Sequence, residues 1–75
     1  MAHNQPMSIA IELEREDDGR WIAEVPALAG VMAYGASREH ALRAVQTLAL
    51  RVIADRLEQG EPVSEAMLGA FHVAA

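Results

Sequence analysis

Ser8-Ile9-Ala10-Ile11-Glu12-Leu13-Glu14-Arg15-Glu16-Asp17-Asp18-Gly19-Arg20-Trp21-Ile22-Ala23-Glu24-Val25-Pro26 holds two alternating runs with an acidic turn between them. In the first run Ile9, Ile11 and Leu13 fall on one face, and Ala10, Glu12 and Glu14 on the other. A period of two with β-branched residues is the pattern of a half-buried strand. Asp18-Gly19 supplies the positive φ that a tight hairpin turn needs, so the chain is expected to double back here. Trp21, Ala23 and Val25 then share one face of the return strand, with Ile22 and Glu24 on the other. Pro26 has no backbone donor and ends the ladder.

Working outward, Ala27-Leu28-Ala29-Gly30 reads as a short connection and Val31 to Tyr34 as a third strand, closed by Gly35. Ser37 is placed to accept an N–H of the first helical turn, and Glu39 complements the positive end of the helix dipole. From Arg38 to Gln59 the apolar positions Leu42, Val45, Leu48, Ala49, Val52, Ile53 and Leu57 recur every three to four residues, a helical stripe. Ala41, Ala44 and Leu50 broaden it. Gly60 is a left-handed stop, and Pro62 prevents resumption. Ser64 to Gly69 reads as a helical turn or a plain connection, and Ala70-Phe71-His72-Val73-Ala74 as a fourth strand. Residues 1–7 read as a disordered terminus and 8–75 as a single domain. The expected fold is α+β, in the order β-β-β-α-β, with a small, mainly antiparallel sheet and one helix packed on one face.

The chain has 75 residues, 52% of them hydrophobic and 23% charged, which is ordinary for a folded domain. At this length a lone core contributes only about 3–5 kcal/mol. Cysteine is absent, so neither a disulfide nor a thiolate metal site supplements that core. Association, with itself as a homodimer or tetramer or with a partner, is the expected supplement. Six basic residues, all arginine, against eleven acidic ones leave a net charge of −5. That balance opposes direct binding to a nucleic-acid backbone and favours a basic protein partner. MAHNQPMS has no charged region leading into an apolar run, and Arg43, Arg51 and Asp55 interrupt the densest apolar stretch. Neither a secretory signal nor a membrane span is expected, and the cytoplasm is the default compartment.

Glu12, Glu14 and Glu24 on the outward strand faces, with Asp17 and Asp18 in the turn, form a solvated polar face that can also serve as an acidic partner-binding patch. Two-metal catalysis would require such carboxylates to converge from several strands. His3, His40 and His72 have no ligand spacing, and Ser8, Ser37 and Ser64 have no neighbouring base, so neither cofactor nor catalytic group is expected. Trp21 is expected to pack under the helix. Pro26 ends a strand, Ser37 caps the helix, and Gly19, Gly30 and Gly60 make backbone turns. Glu39 with Arg43, and Arg51 with Asp55, are four apart on the helix and are expected to pair.

The run from Glu16 to Val31, with its acidic Asp-Gly turn, Trp21, Ala23, Pro26 and Leu28-Ala29-Gly30, resembles the HicB-like antitoxin family. Gly35-Ala36-Ser37-Arg38-Glu39-His40-Ala41-Leu42 resembles that family's helix start, and Gly60-Glu61-Pro62-Val63 its helix end, in matching order from about Ser8 to Val63. Family members often carry an acidic residue where Ala27 stands, proline at Ala29, cysteine at Val31 and glutamate at His40. The resemblance implies a partial ribonuclease H-like domain without the C-terminal DNA-binding domain of longer members. It also implies a type II toxin-antitoxin role, in which the protein masks a small, basic, HicA-like mRNA-cleaving toxin and needs no catalytic group. The alternative is an orphan self-associating scaffold domain with no toxin partner.

Overall fold

The computed structural model describes residues 8–69, 71, 73 and 74. Strand β1 (Glu12–Arg15) pairs antiparallel with β2 (Trp21–Glu24), and β2 pairs antiparallel with β3 (Met32–Gly35), in the order β1-β2-β3. The first hairpin closes through the Glu16 N–H donating to the Arg20 carbonyl at 2.7 Å and the Gly19 N–H donating to the Glu16 carbonyl at 2.9 Å. Within this loop only Gly19 has positive φ, at 91°, so the loop is Asp17-Asp18-Gly19 with the glycine absorbing the bulge rather than a two-residue turn.

The ladder stops at the Glu12–Glu24 pair, short of the strand start expected at Ser8, for a reason written in the sequence. Continuing the register would set Ala10 opposite Pro26, which has no N–H to give. Two successive turns follow, the Leu28 N–H donating to the Val25 carbonyl and the Val31 N–H to the Leu28 carbonyl, both at 3.0 Å. They fold Leu28 inward until it is 1% exposed. Gly30 completes the second turn at φ 81°, and the third strand runs one residue later than its expected Val31–Tyr34.

Helix α1 spans Arg38–Gln59, the bounds read from the sequence. The Ser37 hydroxyl accepts the His40 N–H at 3.1 Å. At the far end the Gly60 N–H reaches the Leu57 carbonyl and the Glu61 N–H the Arg56 carbonyl, a Schellman closure around Gly60. The buried helical residues are Ala41, Val45, Ala49 and Ile53, one per turn, and they meet Ala23, Val25, Leu28 and Val31 from the sheet side. Trp21 is half-buried and packs against this core, as do Leu48 and Val52. Gly35, directly opposite Trp21, lies so close to the start of α1 that an added Cβ would sit 2.3 Å from the Ala41 nitrogen.

A second short helix, α2 (Glu65–Leu68), is capped by Ser64, and Val63 and Met67 pack at the margin of the core. The β-β-β-α order is as read, but the closing strand is not among the described strands. Residues 70 and 72 lie outside the described residues, while Phe71 and Val73 belong to no strand and are 72% and 96% exposed. After α2 the Phe71 N–H bonds back to the Leu68 carbonyl at 3.0 Å. Among the described residues the only ion pair is Arg20–Asp18, so neither helical charge pair forms. Such exposed pairs gain a few tenths of a kcal/mol, about what ordering two long side chains costs.

Candidate functional site

Because α1 covers one face of the sheet, side-chain alternation sends the remaining strand residues to the other. The strand register arranges them as two rows, Glu12–Glu24–Met32 and Glu14–Ile22–Tyr34. Carboxylates therefore occupy β1 and the Glu24 position of β2, and apolar groups the Ile22 position of β2 and both positions of β3. Met32 is 42% exposed and Tyr34 48% exposed, with no described element above them. Glu12 and Glu24 stand directly opposite each other, an arrangement that costs stability in an isolated sheet.

Of the five acids read as a partner-binding patch, the sheet brings Glu12, Glu14 and Glu24 together. Asp17 and Asp18 sit at the hairpin tip. Asp18 is already engaged: its Oδ1 accepts the Arg20 backbone N–H at 3.0 Å, and its Oδ2 accepts the Arg20 Nε–H at 2.8 Å. The backbone N–H first, and the guanidinium with it, hold the Asp18 carboxyl below its ordinary range. The same guanidinium lies 4.7 Å from the centre of the Tyr34 ring. Asp18, Arg20 and Tyr34 thus form a chain that ties the hairpin tip to the third strand. Reading the sequence missed this chain and the exposed pair Met32 and Tyr34. Their two-residue spacing was the available signal, hidden because Val31 and Ala33 on the opposite face are apolar as well.

Two apolar concavities complete the surface. One, of about 440 Å³, runs between the β1 side of the sheet and α1, lined by Ile9, Ile11, Val25, Gln46, Ala49, Leu50 and Ile53. The other, of about 460 Å³, is lined by Leu57, Leu68, Phe71 and Val73. Among the described residues no three of His, Cys, Asp and Glu converge closely enough to hold a metal ion. His40 is exposed on the first turn of α1, and His3 and His72 lie outside the described residues. The Ser37 and Ser64 hydroxyls both accept helix N–H groups. Among the described residues no helix is long and apolar enough to cross a membrane. Comparison with known proteins finds no matching family model, no matching curated protein and no matching solved structure.

Proposed function

We propose that this chain is an antitoxin-type binding protein that neutralises a small, basic, HicA-like mRNA-cleaving toxin in the cytoplasm by covering it. The observation that carries the reading is the open sheet face, where Glu12, Glu14 and Glu24 border the half-buried Ile22 and the exposed Met32 and Tyr34. A protein that cleaves RNA must present positive charge to phosphates, and an acidic face with an apolar centre is complementary to such a surface. The resemblance from Ser8 to Val63 and the net charge of −5 point the same way. Inhibition by occlusion asks for surface, not for a catalytic group.

A second reading, a scaffold that associates only with itself, is favoured by Leu50 and Leu57. They are 67% and 50% exposed and two turns apart, on one side of the helix. The two readings separate in a growth experiment. Any small basic reading frame encoded beside this gene is expressed alone and together with this chain. Toxicity relieved by co-expression, with the two proteins co-purifying, is the expected result. No toxicity, and a protein that purifies only with copies of itself, transfers the conclusion to the scaffold.

A further inference from the structure

We propose that the outer edge of β1 is a docking site for an extended segment of a partner protein in which apolar and basic residues alternate. The Glu16 N–H points across the hairpin to Arg20, so by alternation Glu14 and Glu12 also turn their backbone groups toward β2. Leu13 and Arg15, and Ile11 just before the strand, therefore turn theirs away from the sheet. No described strand pairs with that side of β1. An unpaired edge is a ready template for another strand.

The two faces of an added strand would meet different surroundings. On the helix side lies the 440 Å³ apolar groove, floored by Val25 and walled by Ile11, Leu50 and Ile53, with Leu50 67% exposed. Side chains of the incoming segment on that face must be apolar to fill it. On the opposite face the neighbours are Glu12 and Glu14, which a strand at the usual spacing reaches with its alternate side chains. Those must be basic. An edge strand beside a helix-walled groove is the arrangement in which main-chain bonds give affinity and alternate pockets give specificity.

The site shares Glu12 and Glu14 with the function proposed above but stands on the edge and the groove. The probe is a blocked six-residue peptide alternating isoleucine or valine with arginine, titrated into the full chain. Amide NMR and hydrogen exchange report on the edge, with a peptide carrying glutamate for arginine as the control. Shifts and new protection at Ile11 and Leu13, and binding at least about tenfold weaker for the glutamate peptide, are expected. Leu50→Arg, at an exposed position where circular dichroism should stay unchanged, should weaken the arginine peptide severalfold.

Absence of binding, or shifts confined to Ile22, Met32 and Tyr34, would overturn the proposal. So would edge amides already protected in the free protein, by the chain's own C-terminal segment if independent of concentration and by a second copy if not. An edge that the peptide newly protects, without growth rescue, retires only the antitoxin reading. Rescue without peptide protection retires only the edge site.

Discussion

Asp18 shows how much a single residue in a hairpin tip can organise. Its two oxygens take both the backbone and the side-chain N–H of Arg20, and the guanidinium so oriented lies over Tyr34. A carboxyl held low in the folded chain contributes stability above its unfolded value, and that contribution is lost as pH falls through the lower folded one. The clamp is therefore intact at neutral pH and opens only in acid. An NMR titration of the Asp18 carboxyl should give a midpoint below 3.8. In Arg20→Ala the midpoint should rise but stay depressed, since the backbone donor remains. A wild-type midpoint at or above 3.8 would mean the clamp does not form. The sequence announced the turn through Asp18-Gly19, but the clamp depends on a partner two residues on and a ring two strands away, a relation that local spacing does not express.

At the scale of elements, the joint between β3 and α1 is the shortest among the described elements. Ala36 and Ser37 alone connect them, and Gly35 lets the first turn of the helix settle onto the strand's end. The obstructing atoms belong to the backbone of His40 and Ala41, so a side chain there cannot be accommodated by a rotamer change. Gly35→Ala should destabilise the fold by about 1–3 kcal/mol, read as a lower urea midpoint. Gly19→Ala meets open space and is strained only by its positive φ, so it should cost less. Equal losses at both sites would show that the joint has room. The helix bounds were legible because Ser37 and Gly60 act through their own chemistry. The strand faces of β3 were not, because Met32, Ala33 and Tyr34 are all apolar and a period of two cannot show. The expected fourth strand, residues 70–74, lies partly outside the described residues.

Taken whole, the molecule is two layers, about 18 Å through its thinnest dimension, with α1 as the single cover. Among the described residues the second face of the sheet carries no cover, and it is acidic along β1 and apolar toward β3. If it meets a basic partner, replacing Glu12, Glu14 and Glu24 by glutamine should slow association and flatten its dependence on salt, with dissociation changed less. Stopped-flow mixing at two or three ionic strengths with the co-purified partner would decide this. Unchanged rates would remove the face from the interface. The same variant should be slightly more stable alone, because Glu12 and Glu24 no longer oppose like charges.

The register also places the chain's one indole and one phenol on opposite sides of the same thin layer. Trp21 lies against the core, and Tyr34 lies among the open rows one position along the neighbouring strand. Light absorbed by the phenol has a short path through the sheet to the indole. A partner settling on Tyr34 would therefore change the yield of emission, on excitation of the phenol, from a residue it never touches, an optical reporter of occupancy built into the chain.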